Sequence, residues 1–347
     1  MSTTSYSMST PNVFNTYTEQ LSWTYIVPII LLLVSLGILW QNYAATGSIV
    51  DKDLTLQGGV SLTALNPDVN ADNVETTLQN EFPETDVTVR SLTELGTQTG
   101  VIVQADILPE EEQRLNAFID ATSTATSTQR SDVSVDTVGA SLGQQFFTQT
   151  AKALWVAFLF MGAAVFYYFG PTTTKKVGVG LTTLFTAGLI LSSNAVTLLF
   201  AGAALTAGLV YTYIRYSIPS AAVILAALSD IIMTLAVLDL LGFKVGTASI
   251  AGLLMIIGYS VDTDILLSTR ILKETGNYLE NFYDAFKTGT TMTLTTLSAV
   301  TTTYIFAQST TLQQIMIVIM IGLVIDLVNT WMQNASILHL YTEGDRQ

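Results

Sequence analysis

The sequence predicts a polytopic α-helical membrane protein of about eight spans that carries one small α+β domain outside the bilayer. Three observations predict it. Half of the 347 residues are hydrophobic and only 12% are charged, against about a quarter in soluble domains, and the mean hydropathy is +0.49. The apolar residues fall in long runs. The charges are concentrated: residues 41–150 hold 16 acids and 4 bases (Lys52, Arg90, Arg114 and Arg130), and the rest of the chain holds 11 and 9.

The same composition narrows the chemistry. A formal charge of −14 argues against nucleic acid as a partner. With no cysteine there is no disulfide framework, thiol catalysis or cysteine-ligated metal, and the single histidine, His339, excludes multi-histidine zinc sites. A lysine-poor acidic domain suits concentrated salt, because at about 1 M the Debye length falls to roughly 3 Å and self-repulsion is screened. A halophilic source follows as an inference, with an ordinary acidic surface as the alternative.

Residues 1–20 read as a cytoplasmic N-terminal tail and 21–45 as the first span. No charge occurs from Leu21 to Val50, and the core Trp23–Trp40 is bracketed by Trp23, Tyr25, Trp40 and Tyr43. A cleaved signal peptide competes, since Ala44 and Ala45 are small. The apolar stretch is too long for it, and no Lys or Arg precedes.

Residues 51–145 read as an extracellular domain. Val60–Leu65 predicts a strand and Asp68–Phe82 a helix, capped by Asp68 or Asn70 and apolar at Val74 and Leu78. Asp86–Leu95 and Val101–Ile107 predict strands around a turn at Gly96–Gly100. Pro109–Thr122 predicts a helix with Pro109 in its first turn, and Asp132–Val138 the last strand. The order β-α-β-β-α-β is the ferredoxin-like split βαβ pattern. No cluster in it resembles an active site, so it reads as a binding or mechanical module.

Residues 151–340 read as the membrane domain, with spans near Ala153–Phe169, Val177–Ser192, Ala195–Ile214, Pro219–Leu241, Thr247–Thr269, Gly289–Ala307 and Leu312–Leu338, and 341–347 as a cytoplasmic C-terminal tail. The uncharged run Val177–Ile214 would be about 57 Å long as one helix, against a core of about 30 Å. It must fold back, and Ser192-Ser193-Asn194 is the natural turn. The same reasoning splits the later run at Gln308-Ser309-Thr310. With a cytoplasmic N-terminus, Lys175, Lys176, Arg215, Arg270, Lys273, Lys287 and Arg346 fall inside and only Lys244 in a short outer loop, which orients both termini inward.

Ionisable residues within spans are functional candidates by default. Asp230 lies mid-span. Asp262 and Asp264 lie in the next span, which Arg270 closes, and Asp326 lies in the last, with Asn329 one turn on. Pairing these carboxylates with Arg270 in the bundle core predicts a set able to take up and release a cation. Bland readings stand beside each: Arg270 as an interfacial anchor, Asp264 and Asp326 as structural hydrogen-bond acceptors. Asp239 and Lys244 read as solvated interface residues and His339 as incidental. Ala248, Gly252 and Gly258 read as close-packing positions.

The stretch Ile256-Ile-Gly258-Tyr259-Ser260-Val-Asp262-Thr-Asp264 through Arg270 resembles the SecF signature. Ser229-Asp230-Ile-Ile resembles the H-D-V-I element one span earlier. Val138 to Gln145 is similar to the V-G-x-x-L-G segment that leads into the second helix, and Leu56-Gln-Gly58-Gly59 to the glycine pair opening the outer domain. Asp284 to Gly289 looks like the family's cytoplasmic linker. Three departures stand out. The family's Asn-Asp-Thr is Asp262-Thr263-Asp264 here. Thr269 stands where an acid usually precedes the arginine, and Thr55 where the family's D-F-T-G-G has its acid, with Asp53 nearby. A fourth departure is the span count: the family usually has six, so the count implies an inserted hairpin at about 171–213 or, alternatively, that one of the stretches is a re-entrant or interfacial segment.

The resemblance implies a non-enzymatic auxiliary subunit of protein export in the resistance–nodulation–division superfamily. Its partners would be SecD, a SecYE-type translocon channel, translocating polypeptides and the lipid bilayer. It implies no cofactor beyond a proton or sodium gradient, with Asp230 and Arg270 as the ion-coupling pair and Asp262, Asp264 and Asp326 beside them. A small-molecule exporter of the same superfamily is the alternative. A membrane sensor would need a cytoplasmic output domain, for which the loops and nine-residue tail leave no room.

Overall fold

The computed structural model describes residues 21–94, 97–192, 196–274, 278–307 and 309–344. The predicted N-terminal tail, residues 193 and 194 of one expected turn, and Gln308 of another lie outside them.

A short helix α1 (Leu21–Thr24) leads into α2 (Ile26–Thr46), which ends on Gly47 at φ 75°. A sheet domain, the one expected to lie outside the membrane, follows: α3 (Leu54–Gln57), β1 (Gly59–Ala64), α4 (Ala71–Glu81), β2 (Val87–Glu94), β3 (Thr97–Ala105), α5 (Glu112–Ala125) and β4 (Val133–Val138). The sheet order is β2-β3-β1-β4, antiparallel throughout, with Leu62 opposite Val103 on one side and Val135 on the other. Alternation drives this packing. Val60, Leu62, Val89 and Val103 face Val74, Leu78 and Phe118 of the two helices and are buried with them.

Local details correct the expected boundaries. Asn70, not Asp68, caps α4, its side chain accepting from the Asp72 and Asn73 amides. Pro109 lies ahead of α5, in a turn closed by the Glu111 amide on Leu108 O. β3 begins at Thr97, inside the expected turn.

The membrane domain comprises α6 (Ala140–Phe169), α7 (Thr173–Ser192), α8 (Val196–Tyr216), α9 (Ile218–Leu240), α10 (Thr247–Leu272), α11 (Tyr278–Phe306), α12 (Thr310–Val328), a π-helical segment (Asn329–Asn334) and α13 (Ala335–Gly344). Five stretches among the described residues are long and apolar enough to cross a membrane: Ile26–Thr46, Ala140–Phe169, Ile218–Leu240, Thr247–Leu272 and Thr311–Glu343. Helices α7, α8 and α11 have 20, 21 and 29 residues. Threonines stud α11, and several of their hydroxyls return to the carbonyl four residues back, as Thr291 does to Lys287 and Thr302 to Ser298, which satisfies those groups without water. Helix α6 starts 13 residues before the expected span because its first turns are polar. At about 1.5 Å per residue they project roughly 20 Å beyond the apolar part.

Helices α9, α10 and α12 form the core, with Val223, Ala227 and Ile231 against Leu253, Ile256 and Val318. Gly252 is a close-packing position, since a Cβ there would lie 3.0 Å from Val318. Gly258 is not: it faces outward with nothing within 4 Å of such a Cβ. The α7–α8 hairpin packs on α6 through Leu159, Phe166, Ile190, Leu209 and Tyr213.

Two joints tie the sheet domain to the helices. At the first, Gly58 and Gly59 hold φ 92° and 137°, and Gly143 of α6 sits so close that a Cβ on it would lie 2.8 Å from Gly58 N. At the second, the α9–α10 loop docks on the chain before β1. Asp53 N donates to Val245 O at 2.9 Å and Val245 N to Asp51 O at 2.7 Å. Lys244, expected to be solvated, donates to Asp86 at 2.7 Å and to Thr88 at 2.8 Å. Arg90 lies over Phe243. Asp239, also expected to be solvated, accepts from Asn42 of α2 at 2.5 Å.

Candidate functional site

The membrane core contains a connected polar cluster where α9, α10 and the π-helical segment meet. Asp230 of α9, Ser260 and Asp264 of α10, Asp326 at the end of α12, and Asn329, Thr330 and Asn334 of the π-helix are all buried, at 0–1% exposure. Ser260 Oγ donates to Asp230 Oδ2 at 2.5 Å and Asn329 Nδ2 to Asp230 Oδ1 at 2.7 Å. Asn334 Nδ2 donates to Asp264 Oδ1 at 2.7 Å. Thr330 Oγ1 lies 3.0 Å from Asp264 Oδ1 and 3.1 Å from Asp326 Oδ1, and its single proton serves one of them at a time. Gln333 Nε2 reaches Ser229 Oγ at 3.3 Å on the same side.

Donors run short in this cluster. Asp264 Oδ2, Asp326 Oδ2, Asn329 Oδ1 and Asn334 Oδ1 are buried with no hydrogen-bond partner, so acceptors outnumber the protons present. No cationic side chain pairs with any of the three carboxylates among the described residues. An uncompensated buried charge costs several kcal/mol per ion, a cost that a bound proton or small cation offsets. The described residues contain no group of three acidic or histidine side chains that could hold a metal ion.

The expected pairing of Arg270 with these acids does not form. Arg270 Nη1 binds Glu274 at 2.8 Å at the half-exposed end of α10. The reason is axial distance: Arg270 lies ten residues beyond Ser260 on one helix, about 15 Å along it, out of reach of Asp230. Asp262 is also outside the cluster, on the exposed face of α10. Of the family-motif glycines, Gly58 and Gly59 form the first joint. Tyr259 is 37% exposed, and Ser260 is the Asp230 donor. His339 contacts Tyr278 Oη at 3.1 Å, away from the site. Residues Thr330, Gln333 and Asn334 were missed by charge-based reading. Their signal was the density of amides in Asn329-Thr-Trp-Met-Gln-Asn334, inside an otherwise apolar span.

Comparison with known proteins locates the chain. Residues 186–344 match the family model of the SecD/SecF protein-export membrane protein, C-terminal. A protein-export membrane protein SecF from Haloquadratum walsbyi is 31% identical over 321 residues, 91% of this chain and 91% of its own. The SecF of Methanolacinia petrolearia is 45% identical over 161 residues, and there the match spans 57% of that relative's length. The crystal structure of SecDF, a translocon-associated membrane protein from Thermus thermophilus, shares the fold. Its TM-score is 0.58 at 17% identity, covering 94% of this chain and 38% of that one. The chain is a multi-pass membrane protein that belongs to the SecF family of protein-export membrane proteins.

Proposed function

We propose that this protein is an auxiliary subunit of the Sec export machinery. It works with SecD beside a SecYE-type channel and uses a proton gradient, or less readily a sodium gradient, to promote movement of exported chains. The observation that carries this reading is the buried cluster of Asp230, Asp264 and Asp326. It has no counter-cation among the described residues, and it lies between the two helices whose connecting loop grips the sheet domain. A proton or cation entering changes the charge and donor count where α9, α10 and the π-helix meet. Any resulting shift of α9 against α10 reaches the outer domain through Val245 and Lys244.

Asp230, Asp264 and Asp326 are the ion-binding groups in this reading. Arg270 and Asp262 stand apart from them, as surface charges of α10 that partners meet. The β-α-β-β-α-β order and the β2-β3-β1-β4 sheet support a ferredoxin-like mechanical domain. Our reading adds α7, α8 and α11 to the five long apolar stretches; an even count of eight, with the cations gathered on one side, supports cytoplasmic termini and an outward-facing domain whose acidity suits a saline exterior.

The test is Asp230→Asn in cells. Export enhancement is lost while the protein accumulates normally and still co-purifies with SecD. Undiminished export in that variant refutes the coupling role.

A further inference from the structure

The α7–α8 hairpin adds no residue to the carboxylate cluster, yet its charge is all of one sign, opposite to that of the chain as a whole. Residues 153–229 contain no acid and three bases, Lys175, Lys176 and Arg215, in a protein with 27 acids and 13 bases. The fold gathers the three at one end. Lys175 and Lys176 lie in the first turn of α7 and Arg215 in the last turn of α8. Lys175 Nζ sits 3.5 Å from the centroid of the Tyr216 ring, and the Arg215 guanidinium lies over the same ring at 5.9 Å. Lys176 lies over Tyr167 at 5.4 Å. None of the three forms an ion pair among the described residues. Cation–π contacts hold these groups in place without neutralising them.

A groove starts at this cationic end. It encloses about 300 Å³ between α7 and α8 and is lined by Lys175, Gly178, Thr182, Leu205, Gly208 and Thr212. The two threonine hydroxyls are turned inward along their own helices. Thr182 Oγ1 donates to Gly178 O at 2.9 Å and Thr212 Oγ1 to Gly208 O at 2.8 Å, which leaves apolar surface in the groove. A Cβ at Gly178 or Gly208 would meet nothing within 4 Å, so both glycines open onto free space rather than onto a packed helix. An apolar channel between membrane helices with a cationic rim at the interface matches the two halves of a charged lipid.

We propose that the α7–α8 hairpin binds an anionic phospholipid, with the phosphate at Lys175, Lys176 and Arg215 and an acyl chain in the groove past Gly178 and Gly208. The site faces the leaflet opposite the sheet domain. Ordinary interfacial anchoring by the same cations depends on charge alone, whereas a lipid site depends on both the charge and the groove. This inference is independent of the export mechanism.

The test uses the full chain, reconstituted in nanodiscs of phosphatidylcholine with a minor share of phosphatidylglycerol. It is then washed in detergent, and the retained lipids are counted by mass spectrometry. The wild-type protein retains phosphatidylglycerol at least tenfold above its share. Each cation removed lowers that enrichment by about fivefold, so Lys175→Ala/Lys176→Ala/Arg215→Ala abolishes it. Gly178→Leu/Gly208→Leu, with every charge intact, also abolishes it. Either single leucine variant, read alongside its melting curve, substitutes if the double variant does not fold. Glycerol phosphate in excess does not displace the lipid. Enrichment that survives the groove variants reduces the cluster to an interfacial anchor and overturns the proposal. So does enrichment that survives the alanine variant, equal retention of both lipids by the wild type, or displacement by glycerol phosphate, which marks a free-phosphate site.

Discussion

Asn329 and Asp230, 99 residues apart in sequence, meet in the membrane core with Nδ2 2.7 Å from Oδ1. The π-helical turn makes this contact part of a larger arrangement. A π-helix bonds i to i+5, which stacks Asn334 over Asn329. The first amide then serves Asp230 of α9 and the second Asp264 of α10. One widened turn therefore links the carboxylates of two different helices. π-Bulges recur at functional sites because their irregular turn aims side chains that a regular helix would spread apart.

Replacing Asp230 separates chemistry from folding. Asparagine there can still accept from Ser260. An Asn329 flip then offers its unpartnered Oδ1 to the new amide, so Asp230→Asn should lower stability by less than about 1.5 kcal/mol. Alanine takes the carboxylate acceptor from both Ser260 Oγ and Asn329 Nδ2, leaving the latter only the weak acceptor Met233 Sδ at 3.7 Å, at about 1–3 kcal/mol each. Thermal melting in detergent should place Asp230→Ala well below Asp230→Asn. Equal melting of the two would mean that these hydrogen bonds do not hold the cluster.

Arg270 should be nearly dispensable for folding. Its partner Glu274 is one turn away on the same helix, and both side chains are more than a third exposed. Pairs of this kind contribute about 0.3–0.5 kcal/mol. A double-mutant cycle of Arg270→Ala and Glu274→Ala should give a coupling no larger than this. A coupling of 2 kcal/mol or more would require a buried partner for the guanidinium.

The fold was legible in the sequence where a physical rule acts locally. Alternation located all four strands, the cap of α4 was narrowed to Asp68 or Asn70, and the fold-back of the 177–214 run followed from bilayer thickness. Boundaries failed where polar residues continue an apolar helix, as at 140–152 of α6. The site was half legible. A buried aspartate is conspicuous in an apolar run, so Asp230, Asp264 and Asp326 were found. Their partners were misassigned because charge complementarity suggested Arg270, while the fold used neutral donors. The choice between a guanidinium and an amide depends on axial register between helices, and one sequence does not contain that register. Thr330 and Asn334 needed the π-helix as well, which no periodicity signals.

Two glycines of the motif should respond oppositely to alanine. Gly59 adopts φ 137°, and a Cβ there would lie 2.4 Å from Ala105 O, a backbone atom that cannot step aside. Gly59→Ala should therefore destabilise the outer domain by at least about 3 kcal/mol, combining left-handed strain with a clash. Gly258 lies within α10 with open space around it, so Gly258→Ala should leave stability unchanged or raise it by up to about 1 kcal/mol. Limited proteolysis of the outer domain distinguishes the two. Intact domains in both variants would contradict the close approach at β1.

The joint between the outer domain and the α9–α10 loop can be locked. Lys52 and Val245 are partners in an isolated parallel bridge, and the chain contains no cysteine of its own. Residues paired across a bridge fall within the Cα separation of about 4.4–6.8 Å that a disulfide accepts. Lys52→Cys/Val245→Cys should thus oxidise to a single intramolecular link, visible as a mobility shift on non-reducing gels. If the outer domain works by moving away from this loop, the oxidised protein should lose export enhancement and regain it on reduction. The single-cysteine variants should stay active throughout. Should the linked protein export normally, the domain and the loop move as one body, and the hinge must lie instead between α3 and β1, at Gly58 and Gly59, whose positive φ angles already make that segment the least regular backbone between the membrane and the sheet.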